Sequence, residues 1–178
     1  MYKCRPYVKQ ETMRTLYNSF IYPYFTYCIE VWGNICQTHL DPLLKIQRRA
    51  VRTIVGAKKL ENTDPIFKRL KLLNVNEVYI YCVQLFMYRY HHDILPSAFD
   101  NMFVSNMLIH SHFTRIQHLL HVPIIRTNVA KTIRVTGVTL YNYFHNHVSM
   151  ERTYDSYKYN LKMFIRDNDT SEILTVVE

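Results

Sequence analysis

Glycine is nearly missing from this chain, with three occurrences in 178 residues. Neither a GxGxxG nor a GxxxxGK(S/T) loop can be assembled from them, which excludes nucleotide-phosphate cradles of those types. The four cysteines, Cys4, Cys28, Cys36 and Cys82, form no CxxC pair and no regular framework. Three of them lie in apolar runs, where a free cysteine behaves as a small hydrophobe. The opening "MYKCRPYVKQETMR" is charged and has no apolar core of a signal peptide. These absences together predict a protein that is not secreted and works in a reducing intracellular compartment, nuclear or cytoplasmic. Nor is there a long aliphatic run. The most apolar candidate, "LYNSFIYPYFTYCIEVWGN", is broken by Asn18, Ser19 and Glu30 and contains four tyrosines. A span needs about 20 mostly aliphatic residues, so no membrane partner is expected.

What is present is a globular composition with an uneven charge. Hydrophobic residues make up 48% of the chain, enough for a packed core. Residues 1–90 hold 14 Lys/Arg against 6 Asp/Glu, whereas residues 91–178 hold 8 of each. The whole net charge of +8 therefore sits in the first half, and a polyanionic partner would meet that half.

Apolar residues at Met13, Leu16, Tyr17, Phe20, Tyr24, Tyr27, Cys28 and Val31 recur at helical steps. They predict one helix over about residues 10–32, kinked by Pro23 and stopped by Gly33. A stripe at this spacing reads first as core, and base stacking by one or two of its rings stays open. The second helix is predicted to start at Asp41-Pro42, with Asp41 as cap and Pro42 at the first helical position, and to end at Gly56. In "LLKIQRRAVRTIV" one side collects Leu43, Leu44, Ile46, Ala50, Val51, Ile54 and Val55. Lys45, Arg48, Arg49 and Arg52 fall on the other at i, i+3, i+4 and i+7, and Lys58 and Lys59 extend them. Four cations within two turns repel one another, an arrangement that an anion relieves. Asp64-Pro65 predicts a third, short helix. Asn74 or Asn76 opens a fourth, "VYIYCVQLFMYRYHH", which is apolar nearly all round and so belongs at the centre of a core or against a partner. These four helices form a bundle over residues 1–95.

After Pro96 the pattern changes, and residues 96–178 read as a small α+β region. "SAFDNMF" suits a single helical turn. "VPIIRT" and "TIRVTGVTL" read as the strands of a short β-hairpin, with Gly137 at a bulge. "TYDSYKYNLKMFIRDN" is an amphipathic closing helix, and the last residues, "DTSEILTVVE", are expected to fray. The fold class expected is thus mainly α.

Little in the sequence supports catalysis. Eight of nine histidines lie between His91 and His147, but in pairs, without HExxH and without a neighbouring cysteine. Spacing alone brings no three or four ligands together, so no metal is expected. Ser111, Ser149 and Ser156 sit in no nucleophile elbow. Asp167 and Asp169 lie close to the chain end, a poor place for the rigid carboxylates that two-metal chemistry requires. No catalytic residue, cofactor or small-molecule substrate is assigned.

The segments "LYNSFIYPYFTYCIEVWGN", "LDPLLKIQRRAVRTIVG" and "TDPIFKRLKLLNVNEVYIYCVQLFMYRYHHDILPSAF", in that order, resemble the C-terminal portion of non-LTR (jockey-like) retrotransposon reverse transcriptases. His110, Thr114-Arg115, Arg126-Thr127, Gly137 and Tyr141-Asn142 are similar to the family's tail pattern, although Tyr141 stands where Trp is usual. The resemblance implies the thumb and post-thumb part of an RNA-directed DNA polymerase, with residues 1–95 as a thumb-like bundle. It implies a fragment of a longer frame in which Met1 was internal. The palm's paired aspartates are absent from these 178 residues, so the segment is not expected to polymerise DNA. Partners implied are an RNA or DNA duplex, held by backbone contacts, and the palm and fingers of the parent enzyme. The sites expected for nucleic acid are Lys45, Arg48, Arg49, Arg52, Lys58 and Lys59, which would hold phosphates without reading bases. The competing expectation is a helical protein-interaction or structural module that binds no nucleic acid and docks through surplus apolar surface.

Overall fold

The computed structural model describes residues 1–109, 115–124, 132–150, 153–168 and 173. The fold is mainly helical and divides into two compact units, Met1–Tyr79 and Ile80–Glu178. The division falls inside one helix, upstream of the change in sequence texture at Pro96.

The first unit opens with a short 3₁₀ helix, Tyr2–Tyr7. The long N-terminal helix expected from periodicity is three pieces: α1 (Gln10–Phe20), α2 (Tyr22–Thr26) and α3 (Ile29–Trp32). Pro23 does not kink a continuous helix. It stands in the first turn of α2, where its missing N–H costs nothing, and the break falls before it at Ile21. A second break follows at Cys28, whose φ of 50° is left-handed. The breaks re-aim the stripe. Met13, Tyr17, Phe25 and Ile29 are buried, whereas Phe20, Tyr24, Tyr27 and Val31 face solvent. Cys28 and Cys36 are likewise exposed instead of packed.

Helix α4 runs from Gln37 to Val55, starting one turn earlier than expected, so Pro42 is interior and Asp41 is no cap. Asp41 instead accepts a bond from Gln37 Nε2 at 3.0 Å. Gly56 ends the helix as predicted, in the left-handed region at φ 75°. Helix α5 (Asp64–Leu70) carries Pro65 in its first turn. Helix α6 (Val75–His91) begins with a reciprocal cap. The Glu77 N–H donates to Asn74 Oδ1 at 3.1 Å, and the Asn74 N–H donates to Glu77 Oε2 at 2.8 Å. Asn74, not Asn76, is therefore the opening residue. Met13, Tyr17, Val51, Ile54, Ile66, Phe67 and Leu70 meet in one core. Each such side chain contributes roughly 1.5–3 kcal/mol by burial.

In the second unit the rest of α6 is as buried as its composition demands, with Ile80, Val83, Met87 and Tyr88 at 4% exposure or less. A 3₁₀ turn at Ser97–Phe99 follows, as expected, and then α7 (Asn106–Ile109). The β-hairpin is not formed by the described residues, whose only β-pairing is an isolated bridge between Ser105 and Leu120. The segment read as its second strand is helix α8, Ile133–His145. Its β-branched residues favour a strand locally, but the helix buries Thr136, Gly137, Leu140, Tyr141 and Phe144 along one side. The threonine hydroxyls bond backward along the helix, Thr136 to the Thr132 carbonyl at 3.0 Å and Thr139 to that of Val135 at 2.9 Å. Gly137 serves close packing and not a bulge, since a β-carbon there would stand 3.2 Å from Met87 Sδ. "VPIIRT" is unpaired as far as Ile124 and otherwise lies outside the described residues, as does the tail from residue 169 apart from the buried Ile173. Helix α9 (Tyr154–Asp167) closes the fold as expected, burying Tyr157, Leu161 and Ile165. Among the described residues no helix is long and apolar enough to cross a membrane.

Candidate nucleic-acid interface

The roll of α4 about its axis is set by one buried amide. Gln47 has no exposed surface. Its Nε2 donates to the Tyr17 hydroxyl and to the Leu73 carbonyl, both at 2.9 Å, and its Oε1 accepts from the Val75 N–H at 3.0 Å. Leu40, Leu44, Val51 and Ile54 share its face at helical spacing and are buried with it. Gln47 thus takes the centre of the inward stripe, and Ile46, assigned there from sequence, is displaced to a side that is 58% exposed. A polar residue reads as surface until its partners are known. The signal was its position three after Leu44 and four before Val51.

Lys45 and Arg49 on the opposite side, and Arg48 on the flank, are exposed. Arg52 is half-buried, and its Nε donates to the Glu61 carbonyl at 2.8 Å, leaving the outer guanidinium nitrogens. The four side chains span about 10 Å of helix axis at 1.5 Å per residue. Beyond Gly56, Lys58 and Lys59 are also exposed.

None of these six cations has a carboxylate within ion-pair distance among the described residues. The reason lies in where the acids of the first unit went. Glu77 is held by its cap, Asp41 by the Gln37 amide, and Glu61 Oε2 accepts from the Lys58 backbone N–H at 3.1 Å. Asp64, Glu11 and Glu30 lie in the first turns of α5, α1 and α3, where the helix dipole favours them. Carboxylates bound to neutral amides and helix ends leave the basic face unneutralised. With 13 Lys/Arg against 6 Asp/Glu over residues 1–79, the first unit carries +7.

One contributor was not evident from sequence. Arg5, on the N-terminal 3₁₀ helix, lays its guanidinium over Gly56, where a β-carbon would overlap it. This adds a cation beside the carboxyl end of α4, where the helix dipole favours one. No local pattern announces a contact between residues 51 apart.

The second unit offers no comparable field, but it holds a cluster of imidazole and phenol groups. The Tyr141 hydroxyl pairs with His91 Nδ1 at 2.9 Å, and His92 Nε2 lies 2.8 Å from the Met150 carbonyl. Burial, with lesser repulsion from His92 and His145, pushes the His91 pKa below its ordinary value. Burial also lowers His145, whose ring lies 5.2 Å from that of His118. A half-open cavity of about 430 Å³ beside this cluster is lined by Tyr90, His91, Asp93, Asp100 and Tyr141 among others. Among the described residues no three His, Cys, Asp or Glu side chains converge for a metal ion. His110, His112 and Ser111 lie outside the described residues. Asn142 clamps the Leu120 segment, accepting its N–H at 3.0 Å and donating to its carbonyl at 2.8 Å.

Compared with family models, curated proteins and solved structures, the chain matches none.

Proposed function

We propose that this chain is a sequence-independent nucleic-acid-binding module that grips the sugar-phosphate backbone with the outer face of α4, and that it derives from the thumb region of a non-LTR retrotransposon reverse transcriptase. The observation that carries the binding is the unneutralised row Lys45, Arg48 and Arg49, held outward by the buried Gln47. A rigid row of cations matches the regular charge of a duplex and ignores its sequence, which suits positioning and not base readout. No reaction is assigned to the chain by itself. The test is duplex affinity by fluorescence anisotropy across a salt series. Four phosphate contacts give a slope of log K against log[salt] of about −3 to −4, and each removed contact flattens it by about 0.9. A flat profile, or one untouched by replacing Lys45, Arg48 and Arg49 with Ala, rejects the reading.

A second reading has its own observation. Phe20, Tyr24, Tyr27 and Val31 are 66–84% exposed, four large apolar side chains left uncovered within one short stretch. Apolar surface of this kind suits docking of another polypeptide. On α6, Leu85 and Phe86 are half-buried whereas Val83, Met87 and Tyr88 are buried, so its apolar surface is smaller than the exposed set on α1–α3. Light scattering that finds a monomer at all concentrations without nucleic acid counts against self-association through this surface.

A further inference from the structure

The N-terminal 3₁₀ helix presents two tyrosines that the fold does not use. Tyr2 is 82% exposed and Tyr7 is 87% exposed, and among the described residues neither makes a ring contact or side-chain hydrogen bond. An aromatic side chain left this bare forgoes the large burial it normally brings to a core. Between the two rings stand Lys3 and Arg5, also exposed, and Arg5 rests on Gly56 at the end of the cationic helix. Two cations, spaced by Cys4 and Pro6, therefore stand between two rings on one short element beside the basic face.

We infer that this element is a platform for an unpaired nucleic-acid strand, with Tyr2 and Tyr7 stacking on bases and Lys3 and Arg5 meeting the phosphates between them. The charge argues for this occupant over an apolar peptide. The charged residues between the rings, Lys3 and Arg5, are both cations, on a unit of net +7 with no acid in this element. At about 2.0 Å of rise and three residues per turn, the two rings lie about 10 Å apart along the axis and about 120° apart around it, with Arg5 on the Tyr2 side, so a strand that uses both wraps around the element. That leaves room for a base on each and for the intervening backbone over Arg5. A duplex hides its base faces within its own stack, so only an unpaired segment can use the rings. The surface thus separates two substrates that α4 alone treats alike. The inference rests on the phosphate-binding reading of α4, which it extends from duplex backbone to unpaired strand.

The experiment measures anisotropy of the full chain with a labelled oligothymidylate and, separately, with a blunt duplex of equal length, both at fixed salt. Replacing Tyr2 and Tyr7 together with Ala should weaken single-strand binding about tenfold or more, since each stacked base is a substantial contributor. Duplex affinity should stay unchanged, and Tyr→Phe at both positions should restore the single-strand value. Because both side chains are exposed, an unchanged circular-dichroism melt verifies that folding is intact. Equal loss on both substrates, or no loss on either, overturns the platform while the α4 reading survives. Failure of the unsubstituted chain to bind either substrate removes the α4 reading, and the platform falls with it.

Discussion

The Gln47 side-chain amide donates to the hydroxyl of Tyr17 across 30 residues of chain, at 2.9 Å and away from solvent. The same amide closes on Leu73 and Val75, so α1, α4 and the start of α6 share one polar node. Its consequence is directional: with Gln47 inward, Lys45, Arg48 and Arg49 have only solvent to face.

Replacing Gln47 with Ala should lower stability by about 2–4 kcal/mol, because a cavity forms and the Val75 N–H and Leu73 carbonyl lose their partner. Chemical denaturation checks this. Leu at the same position fills the space but leaves both backbone groups unpaired, so it should rescue only part of the loss. Full rescue by Leu would show that volume matters and bonding does not.

Gly33 should not tolerate a methyl group. A β-carbon there would collide with the Tyr79 ring and stand 2.6 Å from the Ile29 carbonyl. Gly33→Ala is expected to cost about 1–3 kcal/mol from overpacking. Gly137→Ala should be milder, since its nearest neighbours are flexible side-chain ends of Ile133 and Met87. A thermal-melt comparison of the two variants decides, and equal shifts would contradict the packing described.

Stability should fall at both ends of the pH scale. Burial raises the pKa of Tyr17, Tyr81, Tyr141 and Tyr157 above the ordinary phenol value of 10.0. The unfolded chain then releases protons first, so stability holds below about pH 10 and is lost as pH rises further. His91 and His145 are depressed below 6.5, so the unfolded chain binds protons first as pH falls. Stability is full above about 6.5 and declines below it. Denaturation midpoints measured from pH 4 to 11 should trace a plateau with two falling limbs. His91→Phe and His145→Phe together should flatten the acid limb.

Thiol reagents should distinguish the cysteines. Cys4, Cys28 and Cys36 are exposed and Cys82 is half-buried, and none of them is in a disulfide. Under native conditions three groups should react quickly and the fourth slowly, with all four equal in denaturant. A fast fourth thiol would place Cys82 outside the packed helix.

How much of this was legible depends on how far apart the deciding groups are. The cationic row of α4 was readable because Lys45, Arg48, Arg49 and Arg52 satisfy a helical period within eight residues. Gly56 was readable as its stop because a left-handed residue there is a local requirement. Where local preference met a distant partner, the distant partner prevailed. Residues 133–145 favour a strand by their own side chains, yet they are helical because one side packs against α6, with Gly137 beside Met87. The tyrosine-rich segment has the period of one helix, yet its breaks at Ile21 and Cys28 decide which rings are covered.

The sequence by itself determined a mainly helical chain with its positive charge gathered in the first half, because periodicity and net charge are sums over near neighbours. Only the tertiary structure decided that Gln47 turns inward, that Arg5 reaches Gly56, and that Tyr2 and Tyr7 remain bare. Burial and hydrogen-bond satisfaction are settled between segments that meet only when the chain has folded.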